Sequence, residues 1–489
     1  MDKRDRLTLA AVVIISALVY SLVCVKQYTW LFASGDSGDW LAAARFWMAP
    51  QPYGSPLYIV LGHALNALPG DLVLKMTYLL SVLPASVTVG LVYLIVRRFN
   101  HNRWIAVTSS VLLLGSAVFW SQATVLEEYS LAVMFLTLAM YWYTGGHNKL
   151  TGLALGLGTA VHVFLAPVAV LWLAVHAKEW RQWVGAVVVY LFSGVAPYFL
   201  ILWLLAHGTP PLLAGGNLSW GAANSYLGST DVVGTLAWNA TGTRTLDTVG
   251  FLLVSFGLGL MPAAIAVKRH YRNRFVQMLV VAAGFSVWYA LTSIDPTTWV
   301  FLIWGTPALV ILAGLGLSEL PAWHLKAVRA WALAILVVNL TFLNPAVLDR
   351  ENPVATEFQS QIATVPDGSY LVMSRGGFEA LGTFAAMSAG KDIVPVFLTA
   401  ADYRQDALYQ SYVEWANRLG VAGNDTLSMV GGLLAEGKAV YLLTGMPWPD
   451  RPSIEHWGGV FATVSTGYDV YRRITGITGE PDYNEAVLP

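Results

Sequence analysis

Long apolar runs, separated by short polar or basic segments, constrain this chain more than any other feature of its sequence. The first run covers residues 7–25 and the last covers residues 327–343. Most runs have the length of about 17 to 25 residues that a helix needs to cross a bilayer. Of the 489 residues, 56% are hydrophobic and 12% are charged, about half the charged fraction of a soluble domain. The sequence therefore predicts an α-helical polytopic membrane protein with about eleven transmembrane helices.

The remaining composition excludes several kinds of site. The single cysteine, Cys24, lies in the first apolar run, which excludes an intramolecular disulfide and a metal site built on thiolates. The formal net charge is -1, and we expect no nucleic acid as a partner. The first run is too long for the core of a signal peptide and no small-residue cleavage site follows it, which predicts a retained signal-anchor helix.

Lysine and arginine are distributed unevenly between the two sides of the predicted membrane. With a cytoplasmic N-terminus, the inner loops hold most of the basic residues, including Arg97, Arg98 and the segment 268–274. The outer loops then hold only Lys26, Arg45, Lys75 and Arg244. The positive-inside rule therefore predicts a multi-pass protein of the cell (plasma) membrane, with its N-terminus in the cytoplasm.

The composition changes to that of a soluble domain after residue 344. Residues 369–373, 394–398, 439–444 and 460–474 have the pattern of strands, and residues 378–388, 403–419 and 426–434 that of helices. This alternation indicates a small α/β domain. We therefore predict a transmembrane domain at residues 1–344 and an extracytoplasmic α/β domain at residues 345–489.

The string Gly35-Asp36-Ser37-Gly38-Asp39-Trp40 places two carboxylates three residues apart, just beyond the first apolar run. Carboxylates beside a bilayer are costly unless they have a function. The two glycines favour a tight turn that presents Asp36 and Asp39 to one side, where a raised proton affinity suits a general base. Alternatively, Asp36 or Ser37 caps a helix over residues 38–47, and the two interpretations are compatible.

Glu127, Glu128 and His162 are further candidates. The two glutamates open the fourth predicted span on the same outer side as the aspartates, which indicates a shared site, although acidic residues also suit a helix N-terminus. His162 lies between two short apolar runs, residues 150–161 and 164–176, which we interpret as a hairpin of broken helices. A single histidine there is more often a structural hydrogen-bonding group than a functional one.

Four more candidates lie in outer loops. Tyr53 belongs to a proline-rich bend that we expect to be rigid. Asn217 and Trp220 suit contact with a sugar ring, although an interfacial anchor explains the tryptophan equally well. Asp295 precedes a proline, and a turn of the chain explains it better than a site does.

A divalent metal ion is an open alternative. Asp36, Asp39, Glu127 and His162 have suitable ligand atoms, but no His-x-His or His-x-x-x-His spacing supports a metal site. We therefore predict no certain cofactor.

Several short motifs resemble those of a polytopic family in the GT-C glycosyltransferase superfamily. That family includes the transmembrane protein O-mannosyltransferases of animals and many bacterial and archaeal relatives. Its usual pattern is Asp-Ser-Gly-acid, followed by an element like His-Pro-Pro-Gly-Tyr-Pro-Leu. This chain has Gly-Asp-Ser-Gly-Asp-Trp at 35–40 and Gln-Pro-Tyr-Gly-Ser-Pro-Leu at 51–57, without the histidine and with Asp39 where Glu is common. Further matches are Glu-Glu-Tyr-Ser-Leu at 127–131, the segment 156–162, and Trp-Gly at 220–221.

The resemblance implies a specific activity for a transmembrane catalytic domain at residues 1–344. Such enzymes transfer a sugar, here of the hexosyl or mannosyl type, from a polyprenyl- or dolichyl-phosphate carrier on the outer face. An acid in the first outer loop deprotonates the acceptor hydroxyl, on a protein, glycan or lipid, and the reaction inverts the anomeric centre. The resemblance makes Asp36 the general base, with Asp39 second. The predicted substrate-binding residues are Arg45, Tyr53, Glu127, Glu128, His162, Asn217, Trp220 and Asp295, and Arg45 is the candidate for the carrier phosphate because outer basic residues are few.

Two other classes remain as alternatives. A transporter or flippase would have charged residues inside its spans and inverted repeats. This sequence has almost no charged residues inside the predicted spans, and it shows no repeat. A non-catalytic membrane receptor or assembly factor would use the C-terminal domain for binding and would tolerate loss of the aspartate pair.

Overall fold

The structure is a computed structural model that describes residues 2–26, 35–47, 55–205, 243–292, 298–342, 353–374, 385–387, 389–398, 426–443, 461–467 and 471–478. Within these ranges the backbone of Asp36 is described but its side chain is not. Four predicted site residues lie outside the described residues: Tyr53, Asn217, Trp220 and Asp295. The helix predicted at 403–419 and most of the helix predicted at 378–388 also lie outside them.

Helices dominate the described part of the chain up to residue 342. They are α1 (Lys3–Val23), α2 (Gly35–Phe46), α3 (Pro56–Asn66), α4 (Leu72–Met76), α5 (Leu83–Phe99), α6 (Arg103–Leu114), α7 (Ala117–Ala123), α8 (Tyr129–Thr144), α9 (Asn148–Val161), α10 (Leu165–Val175), α11 (Trp180–Tyr190), α12 (Ala196–Leu205), α13 (Thr243–Phe256), α14 (Leu260–His270), α15 (Arg274–Thr292), α16 (Thr306–Leu317) and α17 (Ala322–Phe342). Thr77–Val82 and Leu191–Val195 are π-helical, and Ala177–Glu179, Gly257–Gly259 and Thr298–Trp304 are 3-10 helical.

Within the described residues, six helices are long and apolar enough to cross a membrane, or seven if the bent pair α6 and α7 forms one span. The six are Lys3–Val23, Leu72–Phe99, Trp180–Leu202, Thr248–His270, Arg274–Leu291 and Ala322–Phe342. The apolar helices α10 and α16 are shorter. The prediction of a largely helical protein with several membrane spans is therefore confirmed, and the total of eleven stays a prediction.

The longest of these helices, Leu72–Phe99, forms the centre of the bundle, and 78% of its most apolar window is buried. The Asp71 carboxylate caps its first turn by accepting the Leu74 N–H at 3.0 Å. Its α5 portion packs against α1, α6, α8 and α16. The π-helical segment Thr77–Val82 interrupts it near its N-terminal end, and such segments recur at functional sites.

The apolar run over residues 104–120 forms two helices, α6 and α7, between which the chain bends by 65°. Gly115 lies at the bend and lets α17 approach, since a Cβ there would lie 3.0 Å from the carbonyl oxygen of Ala332. Asn339 donates a hydrogen bond to the Gly115 carbonyl at 2.9 Å, which satisfies a polar group that the bend releases. The apolar pattern runs through the bend, so the pattern does not reveal it.

Glycines bring α9 unusually close to its neighbours. A Cβ at Gly152 would lie 2.2 Å from the carbonyl oxygen of Ala186 in α11. A Cβ at Gly156 would lie 2.1 Å from Oγ of Ser193 in the second π-helical segment. Small residues allow such backbone approach between membrane helices, where packing drives association. This contact positions the end of α9, which leads directly into His162.

The described residues beyond 352 form a five-stranded sheet with accompanying helices. Its elements are α18 (Pro353–Ile362), β1 (Ser369–Ser374), β2 (Ile393–Leu398), α19 (Thr426–Ala435), β3 (Val440–Leu443), β4 (Phe461–Ser465) and β5 (Tyr471–Ile477). The strand order is β2-β1-β3-β5-β4, in which β1 is parallel to β2 and β3, and β5 is antiparallel to β3 and β4.

The single strand predicted at residues 460–474 is wrong, because two antiparallel strands, β4 and β5, occupy that region. Gly467, with a φ of 84°, follows β4 in a backbone conformation that favours glycine. The other three predicted strands coincide with β1, β2 and β3 to within a residue or two at each end. A separate domain with an extracytoplasmic location stays a prediction.

Candidate active site

The string at residues 35–40 forms the first turn of α2, which begins at Gly35. The predicted tight turn and the predicted helix start at residue 38 are therefore both wrong. In the helix, Ser37, Gly38 and Trp40 are buried, whereas Asp39 is half-buried. Side chains three residues apart share a helix face, so positions 36 and 39 share one face and positions 37 and 40 share another. The two glycines favour a turn, but a helix buries Ser37 and Trp40 together on one face, and we attribute the helix to this burial.

Glu127 is the partner of the buried face of this turn. The Ser37 hydroxyl lies 2.9 Å from the carbonyl oxygen of Leu126 and 3.2 Å from Oε1 of Glu127, and its one proton serves both acceptors. The Trp40 indole N–H donates to the other carboxylate oxygen, Oε2, at 3.1 Å. Glu127 itself is 1% exposed. The connection between α7 and α8 and the first turn of α2 are thus joined through buried hydrogen bonds.

Two residues complete this junction, one from α3 and one from the central helix. The Trp40 ring meets the buried Tyr58 ring edge to face, with centroids 5.9 Å apart. From the π-helical segment Thr77–Val82, the Ser81 hydroxyl donates to the backbone carbonyl of Glu127 at 3.2 Å. Two elements distant in sequence, α2 and the central helix, therefore converge on one glutamate, and α3 packs against Trp40.

Glu128 faces His162 rather than α2. Oε1 of Glu128 lies 3.4 Å from Nε2 of His162, and both side chains are 1% exposed. The Phe164 N–H donates to Nδ1 of His162 at 3.3 Å, which places the proton of the neutral imidazole on Nε2, toward the carboxylate. The rings of Tyr129 and Trp304 lie 5.2 and 4.8 Å from the imidazole, centroid to centroid. The prediction that His162 separates two short helices agrees with the structure, since it follows α9 and precedes α10.

Arg45 lies in the last turn of α2, away from the turn that carries the acids. Its Nη2 forms an ion pair of 2.5 Å with Oδ1 of Asp392, which directly precedes β2. Asp392 is held in place because its N–H donates to Asp367 and its carbonyl accepts from Gly368. The residue predicted to bind the carrier phosphate thus contacts the C-terminal sheet region.

An apolar groove of about 540 Å³ runs between α10 and α15. Its lining includes Pro167, Leu171, Val281, Gly284, Phe285 and Trp288. Packed rings lie between the groove and His162: Phe285 stacks with Tyr289, and Tyr289 lies 4.8 Å from Phe164, centroid to centroid. The Phe164 ring in turn lies 5.1 Å from the imidazole of His162. Three packed aromatic rings therefore separate the apolar groove from the buried imidazole of His162.

Among the described side chains, no group of three or more His, Cys, Asp or Glu residues is arranged to hold a metal ion. His162 faces Glu128, whereas the proposed metal set paired it with Glu127. The side chain of Asp36 is outside the described part of the structure, so a metal bound through it stays a hypothesis.

The architecture as a whole resembles two solved structures. Crystal structures of ArnT from Cupriavidus metallidurans, one bound to undecaprenyl phosphate and one in the apo state, superpose with TM-scores of 0.65 and 0.63. They cover 97% of this chain and 99% and 98% of theirs, at 15% and 13% sequence identity. The chain has the GT-C fold. No family model and no curated protein matches the sequence.

The GT-C fold and the several membrane-spanning helices agree with an integral membrane protein. Within this fold the structure brings the acid-bearing turn of α2 together with Glu127, and Glu128 together with His162. It does not place Arg45 with them. Sequence analysis missed the roles of Tyr58, Ser81 and Trp304, because hydroxyl groups and aromatic rings are frequent in membrane helices and carry no signal of a distant partner.

Proposed function

We propose that this protein is an inverting membrane glycosyltransferase that transfers a sugar from a polyprenyl-phosphate carrier to an acceptor hydroxyl. The observation that carries the proposal is the first turn of α2, where two aspartates occupy a helix that buried hydrogen bonds join to Glu127. Acids beside a bilayer are costly, and a fold shared with a protein crystallised with undecaprenyl phosphate gives them a use.

The proposed chemistry needs one base and one leaving group. Asp36, with Asp39 as the second acid, accepts the proton of the acceptor hydroxyl. The acceptor oxygen forms a bond to the anomeric carbon as the bond from that carbon to the phosphate oxygen breaks. The bonding electrons leave with the polyprenyl phosphate, and attack from the opposite side inverts the anomeric centre. General base catalysis of this kind contributes about 10²- to 10⁴-fold to a rate.

The apolar groove between α10 and α15 supports a lipid-linked donor. Its lining residues are hydrophobic, as the binding surface of an isoprenoid chain must be, and it lies between two apolar helices. We propose that the groove holds part of the polyprenyl chain of the carrier. Tyr53, Asn217, Trp220 and Asp295 stay proposed sugar-binding residues.

The distribution of charge supports transfer on the outer face. Ser81 contacts the site, and Arg97 and Arg98 lie 16 and 17 residues later on the same helix, about 24 Å along its axis. The site therefore lies at the end of the central helix opposite to the basic pair. Together with the positive-inside rule, this arrangement supports our proposal of a cytoplasmic N-terminus, with the site and the C-terminal α/β domain outside.

Transfer assays with purified protein test the proposal. Labelled polyprenyl-phosphate hexoses, including a mannosyl donor, are incubated with membranes as acceptor, with and without a chelator. We expect transfer by the wild-type protein from at least one donor. Asp36→Asn should lower the rate by about 10²-fold or more, and Asp39→Asn should lower it less.

Full activity in both variants would exclude the mechanism. Absence of transfer from every donor would instead favour a transporter or a non-catalytic assembly factor. Loss of activity on chelation would revive the metal hypothesis with Asp36 as a ligand.

A further inference from the structure

The buried junction around Glu127 joins three segments that are far apart in sequence. Ser37 and Trp40 come from α2, Ser81 comes from the π-helical segment, and Leu126 and Glu127 come from the connection between α7 and α8. Ser81 and Trp40 are fully buried, and Ser37 and Glu127 are 1% exposed. Such burial of a carboxylate is costly unless donors surround it, and here each carboxylate oxygen faces a donor on α2.

This arrangement gives Glu127 a poor position for contact with substrate. A base or a sugar ligand must reach the reacting molecule within hydrogen-bond distance. The carboxylate of Glu127 instead points at Ser37 and Trp40, inside the bundle. Its backbone carbonyl is likewise used, by Ser81.

The helix geometry transmits this contact to the acids. Successive residues of an α-helix are about 100° apart around the axis, because there are 3.6 residues per turn. Ser37 and Trp40 each follow directly after helix positions 36 and 39. Fixing the face that carries Ser37 and Trp40 therefore fixes the rotation and height of the neighbouring face, which belongs to positions 36 and 39.

We propose that Glu127 is a positioning residue, which with Ser37 and Trp40 forms a clamp that holds the acid-bearing turn in its working orientation. This inference rests on the proposed glycosyl transfer. It replaces the substrate-binding role that the sequence indicated for Glu127. In this proposal Ser37 and Trp40, each of which directly follows an aspartate in the string at 35–40, hold the turn by hydrogen bonding to Glu127.

The clamp is tested with Glu127→Gln, Trp40→Phe and the double variant. The amide of glutamine cannot accept two donors on two oxygens, and phenylalanine keeps the ring but loses the N–H. We expect Glu127→Gln to lower kcat by about 10- to 100-fold, with the KM for the donor within about two-fold of wild type. Trp40→Phe should lower kcat less. The double variant should be no slower than Glu127→Gln alone, because both changes break the same contact.

Two further variants serve as matched comparisons. Glu128→Gln alters a neighbouring glutamate that is buried to the same extent but faces His162, so its effect on kcat should multiply with that of Trp40→Phe. Ser110→Ala removes another buried serine hydroxyl, which donates to Val89 at 3.2 Å within the bundle, and should leave kcat unchanged. Size-exclusion profiles and thermal midpoints in detergent show whether each variant is folded.

Hydrogen exchange of the peptide that covers residues 35–46 gives a readout independent of activity. Exchange there should rise in Glu127→Gln and Trp40→Phe, and stay at the wild-type level in Ser110→Ala. A raised KM with an unchanged kcat in Glu127→Gln would make Glu127 a substrate ligand and overturn the clamp. Multiplying effects of Glu127→Gln and Trp40→Phe, or unchanged exchange, would also overturn it. A wild-type protein that transfers no sugar would refute the proposed function, while the exchange measurement would still decide the clamp.

Discussion

Nε2 of His162 lies 3.4 Å from Oε1 of Glu128, at the point where the chain breaks between α9 and α10. Both residues are buried among aromatic rings, including those of Tyr129 and Trp304. The contact ties the start of α8 to the end of α9. It therefore couples the position of the glutamate pair to the packing of α9.

Loss of the imidazole should destabilise the protein through Glu128. His162→Phe keeps a ring in the aromatic pocket but removes the N–H that faces the carboxylate. We expect the free energy of unfolding to fall by roughly 1–3 kcal/mol, and to fall less in a Glu128→Gln background, where the charge is absent. Denaturant unfolding in detergent measures both. Equal losses in the two backgrounds would show that the pair is not coupled.

The close approach of α9 to α11 predicts a strong effect of one methyl group. Gly152→Ala places a Cβ 2.2 Å from the carbonyl oxygen of Ala186, and the backbone atoms around it can yield only by moving the helix. We expect a loss of about 1–3 kcal/mol in the free energy of unfolding. Gly250→Ala is the matched control, because a Cβ there meets no atom within 4 Å and alanine favours helix. Equal stability of the two variants would contradict the packing described for α9.

The groove between α10 and α15 predicts a defect in donor binding when it is filled. A Cβ at Gly284 meets no atom within 4 Å, so Gly284→Leu extends into the groove without a clash. We expect the KM for a long-chain polyprenyl donor to rise about ten-fold, since burial of each CH₂ contributes about 0.8 kcal/mol. The KM for a donor with a short chain should change less.

The control for the groove is Gly250→Leu, which adds the same side chain at an equally open position on α13. It should leave the KM for both donors near the wild-type value. If the two leucine variants have the same kinetics, the groove does not hold the carrier.

The ion pair between Arg45 and Asp392 should contribute little to stability. The two side chains are 34% and 66% exposed, and exposed pairs are worth about 0–1 kcal/mol. The free energy of unfolding of Asp392→Asn is therefore expected to lie within about 1 kcal/mol of the wild-type value. Arg45→Gln has the same effect on the pair but also tests the carrier phosphate. If Arg45 binds that phosphate, Arg45→Gln raises the KM for the donor and Asp392→Asn does not.

Much of the fold could be predicted because a membrane-spanning helix is recognised from a local run of apolar residues. The apolar runs located α1 and the break at His162, and strand patterns located β1 to β3. The 65° bend between α6 and α7 was missed, because both halves are apolar and the bend depends on the approach of α17 at Gly115. The sequence predicted a tight turn or a helix that starts at residue 38, because its two glycines favour a turn. The burial of Ser37 and Trp40, which stabilises a helix from Gly35, is a tertiary effect.

The sequence by itself determined that the chain has the apolar runs of a membrane protein and in which segments its charged residues are concentrated. It predicted Asp36, Asp39, Glu127 and Glu128 as candidates for a site. Only the tertiary structure decided which distant side chains contact the two glutamates and Arg45. Glu127 meets Trp40 and Ser37, Glu128 meets His162, and Arg45 meets Asp392, each across a long stretch of chain. Composition and periodicity indicate whether each segment lies in lipid or in water. Contacts between distant side chains depend instead on how the helices pack.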